Sequence, residues 1–297
     1  MALYQNVPLY RAFFEPSAEI RASIDALVRT HRPRQRVVPK RVIDPACGVG
    51  LWLEHFRDRG ATVAGVELDE AVAQSTARRL SDAVVTQGDM RAPPALVGGA
   101  FDVAINLDNS VGHLGDAQDL VAHLRAMHAL MAPGGIYLVG VAVREAADTI
   151  DPSVIYERGP LSIDGGGYAA LRSETHGLID PDDTAGLRCE RIRHYVLAHE
   201  IDGIAPLSIE QYDLLTFPHK LLHEALIGGG PWAILDCRDA TDESLPRRRF
   251  APGCGDVLLV LQPTQASTST GGGGTAKLVR RKHDGVAHAA RRQRGAR

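Results

Sequence analysis

Residues 42–50 read Val-Ile-Asp-Pro-Ala-Cys-Gly-Val-Gly, an apolar run that ends in an acid and breaks into glycines. That order constrains the fold more than any other feature of the chain. A short β-branched run predicts a strand, Pro45 stops it, and the glycines let the backbone turn tightly. Leu53 and Phe56 then recur at helical spacing, so a helix is expected over 51–59. A strand, a glycine turn and a helix form the opening unit of an open α/β sheet, and ligands bind such sheets at the turn.

The rest of the chain alternates in the same way. Ser17 is a plausible N-cap for a helix over 17–30, and the proline-bearing stretch 31–40 is a loop. Strands are expected at 41–44, 62–68, 83–87, 101–107 and 136–143, with helices at 70–80 and 116–131 and a turn at 132–135. Apolar strands alternating with amphipathic helices indicate a parallel sheet with helices on both faces. Between 144 and 218 the pattern changes, and two alternating stretches, 188–200 and 207–217, look like an antiparallel pair. A helix over 219–227 and strands at 232–237 and 257–262 complete the pattern. The expectation is one α/β domain over 1–263, a doubly wound seven-stranded sheet with an antiparallel β insertion (144–218) before the sixth strand.

Charge separates the body from its end. Net charge is −3, but from Thr264 onward eight basic residues face Asp284 alone, which leaves the body at −10. An acidic body argues against a nucleic-acid surface on the folded domain. The end, 264–297, opens on Thr, Ser and four successive glycines and then turns basic, a composition expected to stay disordered. No apolar run approaches the ~18 residues that span a bilayer. The first residues lack the basic-then-apolar pattern of a signal peptide. Cys47, Cys189, Cys237 and Cys254 show no CxxC spacing, so no zinc site or disulfide framework is expected, and a cytoplasmic setting follows. His219 and His223 are four apart but lack a third ligand, so no metal is expected. A homo-oligomer is compatible with all of this.

The chemistry of the turn decides between ligands. It is not GxGxxG, since Leu53 stands where a third small residue would be needed. Asp44, at the strand's end, would repel a pyrophosphate but suits a cation. With those residues in view, 42–50 resembles the first motif of the class I S-adenosylmethionine (SAM)-dependent methyltransferases, whose fold is Rossmann-like. Gly65-Val66-Glu67-Leu68-Asp69 resembles their second motif and Gly88-Asp89-Met90 their third. The resemblance implies that SAM is the cofactor, with Asp44, Ala46, Gly48 and Gly50 around its methionine part. It places Glu67 on the ribose hydroxyls, Leu68 and Met90 against the adenine, and Asp89 on the adenine amino group.

The fourth strand runs into Asn106-Leu107-Asp108-Asn109-Ser110-Val111-Gly112-His113-Leu114. In the family this segment faces the transferred methyl, which implicates Asn106 and Leu107 on the cofactor side and Asn109 on the substrate side. The Ser-x-Gly-His-Leu ending resembles nucleotide-linked aminosugar N,N-dimethyltransferases, and the Asn-Ser-x-x-His-Leu ending resembles glycine N-methyltransferase. Methyl transfer from a sulfonium is an in-line displacement, so alignment and water exclusion dominate. His113 is the candidate to orient or deprotonate the acceptor, because its ordinary pKa lies near working pH; a structural histidine at a helix entrance is the alternative. Tyr4 and Tyr10 precede the first helix, where the family closes over SAM and substrate. The insertion adds Tyr156, Tyr168, Tyr195 and Tyr212, with Arg158, Arg172 and Arg193 as candidates for an anionic substrate group. The resulting expectation is methylation of a nitrogen on a small metabolite, in secondary metabolism. The alternatives are O- or C-methylation and a SAM-binding partner without catalysis.

Overall fold

A computed structural model of the chain describes residues 3–32, 39–164, 166–181, 186–201 and 205–264. The expected disordered tail therefore lies outside the described residues, apart from Thr264, whose amide and hydroxyl both donate to the Pro231 carbonyl.

Helices start where side chains can cap them. Asn6 accepts from the Leu9 amide to open α1 (Val7–Phe14), and Ser17 accepts from Ile20 to open α2 (Ala18–His31). β1 (Arg41–Asp44), α3 (Leu51–Arg57), β2 (Thr62–Glu67), α4 (Glu70–Arg79) and β3 (Val84–Gln87) follow as alternating units. Asp69 caps α4 and Asp116 caps α5 (Ala117–Leu130), which lies between β4 (Phe101–Asn106) and β5 (Met131–Val143). The turn expected at 132–135 is instead taken up in β5, whose pairing with β4 shifts register there.

The main sheet has seven strands. After α6 (His219–Gly228), β10 (Trp232–Asp239) and β11 (Gly255–Pro263) complete it in the order β10-β11-β5-β4-β1-β2-β3. Pairing is parallel from β5 to β3, and β11 runs antiparallel to both its neighbours. Alternation along each strand feeds two cores. Ile43, Ala104, Tyr137 and Val139 pack with α5 and α6 on one face, while Val42, Val103, Ile105 and Leu138 pack with α2 and α3 on the other. Both faces are covered, as an α/β sheet requires.

The insertion is larger than the expected pair. It is a four-stranded antiparallel sheet, β6 (Ser153–Ser162), β7 (Tyr168–Ile179), β8 (Cys189–His199) and β9 (Leu207–Leu215), in sequence order. Phe217, fully buried, ties its last strand to the main sheet by donating its amide to Ala142. The inner face of this sheet, through Ala169, Leu171 and Val196, packs against Leu9 and Phe13 of α1. The short first helix thus lies between the insertion and the start of the main sheet.

Candidate active site

The strand ends converge. Register pairs Asp44 with Gly65 and Glu67 with Gln87, so the acids of β1 and β2 finish along one edge, the carboxyl edge where open sheets bind ligands. The turn after Asp44 is left-handed at Gly48 (φ +51°) and Gly50 (φ +75°). At Gly50 a side chain is excluded twice, by that angle and because a Cβ would lie 2.9 Å from both Leu80 and Thr76. Around Gly48, by contrast, a Cβ would meet nothing within 4 Å, so the backbone there borders open space.

Three carboxylates share this end of the molecule. Asp44 is buried and its Oδ1 accepts the Ala46 amide at 3.0 Å. Burial, reinforced by the charges of Glu67 and Asp108, pushes its pKa up to about 7. Glu67 accepts the Gly48 amide on one oxygen and the Asp69 amide on the other, both at 2.9 Å, and burial raises its pKa as well. Each Glu67 oxygen retains a lone pair for a ligand hydroxyl. Asp108 stands two residues past β4 and is open to water, yet the protein around it raises its carboxyl too. Leu68, next to Glu67, leaves 70% of its surface exposed, an apolar face at a strand end.

The third predicted motif is held from behind. Asp89 is clasped by Arg91, which also bonds Asp119, and this hydrogen bonding lowers the Asp89 pKa. The Met90 carbonyl accepts from His123 Nδ1 at 2.9 Å, and His123 Nε2 accepts the Tyr137 hydroxyl at 2.7 Å. A carbonyl cannot donate, so the tautomer is fixed with the proton on Nδ1. Burial pushes His123 down to about 4, which keeps it neutral. Asn106 is buried, with Nδ2 on the Met90 sulfur and no hydrogen-bond partner for Oδ1 among the described residues.

The segment after β4 makes an unusual turn. Asp108 and Asn109 are both left-handed, at φ +58° and +54°, a conformation Asp and Asn tolerate better than most residues. Gly140 makes room for them, since a Cβ there would come within 3.2 Å of both amide nitrogens. Asn109 Oδ1 accepts from the Ala142 amide at 3.3 Å, so this expected substrate residue uses its side chain to pin the loop to β5. Leu107 packs beside the second core, and its carbonyl accepts from Ser110. His113 closes the turn with its ring 5.7 Å from that of Tyr212, and crowding by protein lowers its pKa.

Aromatic rings from α1 and the insertion form the facing wall. Tyr10 stacks on Phe14 at 4.6 Å and packs beside Val49 and Leu51 of the glycine turn. Burial raises its pKa, followed by the charge of Asp108 and then by Tyr156, Glu67 and Asp44, so its hydroxyl stands where the glycine turn and the insertion meet. Phe14 reaches Tyr156 and His194, and His194 Nε2 hydrogen-bonds the Tyr212 hydroxyl. His194 Nδ1 has no partner among the described residues, and burial pushes the ring down to about 4. α1 is clamped in place by Arg11, which pairs with Glu54 of α3; Glu54 in turn pairs with Arg79, a donor to the Val49 carbonyl. Tyr4 lies in the 3-10 turn Leu3–Gln5, and its side chain is outside the described residues. Of the insertion's arginines, Arg172 pairs with Glu157 and Glu174, Arg193 bonds Gln211, and Arg158 lies over the Tyr156 ring at 5.9 Å.

Sequence reasoning gave Asp108, His123 and His194 no role. Two carried a signal: the Asp108-Asn109 pair favours a left-handed turn, and the alternation of β8 puts His194 on the buried face with Ile192 and Val196. Among the described residues no helix is long and apolar enough to cross a membrane.

Residues 42–135 match the family model described as a methyltransferase domain. Over 118 residues the chain is 34% identical to dTDP-3-amino-3,4,6-trideoxy-alpha-D-glucopyranose N,N-dimethyltransferase of Streptomyces venezuelae, covering 40% of this chain and 47% of that protein. It is 36% identical over 118 residues to dTDP-3-amino-3,6-dideoxy-alpha-D-glucopyranose N,N-dimethyltransferase of Streptomyces fradiae, covering 40% and 44%. The chain thus matches somewhat less than half the length of these curated relatives. Among solved structures, DesVI from Streptomyces venezuelae superposes with a TM-score of 0.63 at 22% identity, covering 86% of this chain and 95% of that one. SAM-bound CalS10, an amino pentose methyltransferase from Micromonospora echinaspora, does so at 0.57 and 22% identity, covering 88% and 97%. At that identity the superpositions speak for the fold alone.

Proposed function

We propose that this chain, whose residues 42–135 match the methyltransferase-domain family, moves a methyl group from SAM to a nitrogen of a small metabolite, an amino sugar linked to a nucleotide. The observation that carries the reading is the convergence of Asp44, Glu67 and Asp108 at the strand ends. No Lys or Arg side chain is bonded to any of the three among the described residues. Burial and the charges of Glu67 and Asp108 raise the pKa of Asp44, so this end of the sheet favours a cationic ligand, and SAM carries both an ammonium and a sulfonium.

SAM supplies an electrophilic methyl on its sulfonium. Asp44 would hold the ammonium, Glu67 the ribose hydroxyls, and Leu68 with Met90 the adenine. Ala46, Gly48 and Gly50 would let the backbone approach the methionine part, with Asn106 and Leu107 at the floor. Tyr10, seated on the glycine turn and coupled to Asp108, would cover the reacting centre and exclude water. Neutral His113 and Tyr212 would line the acceptor's side. The amino-sugar acceptor is taken from the relatives' names.

The test is direct. Titration calorimetry with SAM should give saturable binding, and none at millimolar SAM would sink the reading. Incubation with SAM and the two amino-sugar nucleotides named for the relatives should yield mass gains of one and two methyl groups.

A further inference from the structure

We infer that Asp108 holds the methyl acceptor by an N–H group and takes the proton its nitrogen sheds, so that the acceptor is a primary or secondary amine and not an alcohol. The inference rests on the methyltransferase reading and deepens it.

Among the three acids Asp108 differs in its bonding. Asp44 is engaged by the Ala46 amide and Glu67 by those of Gly48 and Asp69, whereas the Asp108 carboxylate has no hydrogen-bond or ion-pair partner among the described residues. It is open to water, and the surrounding protein raises its pKa. It also lies between the two halves of the site, close enough to Asp44 on one side and to Tyr10 and Tyr156 on the other to raise the pKa of each. The backbone there is strained at two successive residues and held so by the Asn109 bond to β5 and by the gap at Gly140. Strain of this kind persists only where the surroundings fix it. Here it sets an unpaired carboxylate just past the end of β4.

The sign of the charge selects the acceptor. An amine nitrogen becomes positive as it attacks, and a carboxylate beside it stabilises that charge. A hydroxyl acceptor would instead have to build negative charge on oxygen among Asp44, Glu67 and Asp108. The rest of the lining does not reverse this, since Tyr10, Tyr156, Tyr212 and His113 are all held toward their neutral forms. In the step itself the substrate ammonium gives one proton to Asp108. The freed nitrogen lone pair then forms the N–CH3 bond as the S–CH3 bond breaks, and that bond's electron pair stays on sulfur, leaving a neutral thioether. The methylated nitrogen carries the positive charge away.

The experiment compares wild type with Asp108→Asn, which is isosteric and keeps a residue suited to the left-handed backbone. Both should bind SAM by calorimetry, the variant somewhat more weakly because it loses one of the three carboxylates, and a variant that cannot bind SAM would count against a role on the acceptor side. Turnover of dTDP-3-amino-3,6-dideoxyglucose should fall about 100-fold in kcat/KM, the usual scale for removing a general base. Binding is measured separately, with demethylated cofactor present, for that sugar nucleotide and for its counterpart with a hydroxyl in place of the amine. Wild type should prefer the amine by about tenfold, as for a charge-assisted hydrogen bond, and the variant should lose the preference. Equal affinity of wild type for the two sugars, or a preference unchanged by Asp108→Asn, overturns the assignment whether or not turnover is seen. Failure to bind SAM in wild type would instead strike the methyltransferase reading itself.

Discussion

The two walls of the site are built on opposite physical plans. The strand-end wall works through charge and backbone: Asp44 and Glu67 are fixed by amides of a glycine turn that only left-handed residues can make. The insertion wall works through rings and neutrality: Tyr156 and His194 lie against Phe14 of α1 and Tyr212 against His194, each with its charged form suppressed by burial. The difference teaches where precision resides. A turn constrained by φ and by Leu80 and Thr76 leaves its backbone little freedom, while, on the proposed function, a ring-lined sheet face could be re-lined for a different acceptor without disturbing the cofactor side. Substitutions that respect this division should separate cofactor binding from acceptor turnover.

The largest effect should come from Gly50→Ala. The added methyl meets Leu80 and Thr76 at 2.9 Å and the residue must hold φ +75°, so a loss of about 3 kcal/mol or more is expected. Thermal melting and SAM calorimetry should fall together. A variant that melts normally and binds SAM would show that the turn is not the rigid part.

Next in size is acid sensitivity of the ligand-free protein. His123 and His194, one on each wall, are both pushed down to about 4 by burial. The unfolded chain takes up their protons near pH 6.5 and the folded one only near 4. Stability from these groups is therefore complete above 6.5 and lost as pH falls toward 4, by up to about 3 kcal/mol each at about 1.4 kcal/mol per unit. Denaturant melts of His194→Asn and His123→Asn across that window should each show a shallower acid slope than wild type. An unchanged slope in either would mean that its ring is not held neutral.

Asp44→Asn should cut the two ways that a binding charge implies. Its folded pKa, about 7, lies above the ordinary carboxylate value, so the buried charge destabilises the ligand-free fold as pH rises through 7. Asparagine keeps an acceptor for the Ala46 amide without the charge. Melting at pH 8 should rise by about 2 kcal/mol, while SAM affinity falls by about 30-fold, a similar free energy. Loss of both stability and affinity would put Asp44 in the scaffold alone.

How much of this could be read in the chain follows the same division. The centre of the main sheet was legible because β1, β2 and β4 are apolar runs buried on both faces, and the acids at 44, 67 and 89 stand at or just past strand ends in order. Strands β6 and β7 were not. β6 is a sheet edge with nearly every residue exposed, so it carries no alternation. β7 does alternate in burial, but its inner face holds Ala169, Leu171, Ser173 and Thr175, half of them polar. α1 escaped because eight residues give little periodicity, although Asn6 followed by Pro8 is a helix-start signature. His123 illustrates the limit of spacing arguments. Its role as a strut between Tyr137 and Met90 depends on a contact with a loop 33 residues away in sequence.

Tyr212→Phe isolates the insertion wall with the smallest change. It removes one hydroxyl, the partner of His194 Nε2, and leaves the His113 ring contact in place. His194 would then have neither ring nitrogen partnered, because Nδ1 already lacks a partner among the described residues. One lost hydrogen bond with a buried polar atom left behind costs about 1 kcal/mol or somewhat more, so a modest drop in melting temperature is expected. SAM binding should be untouched, since among the described residues no hydrogen bond or ring contact joins the glycine turn to this pair. Acceptor turnover should fall about tenfold, the equivalent of about 1.4 kcal/mol, through KM if the hydroxyl binds the acceptor and through kcat if it aligns it. A weakened SAM affinity would mean that the two walls are coupled through α1, where Tyr10 and Phe14 bridge them.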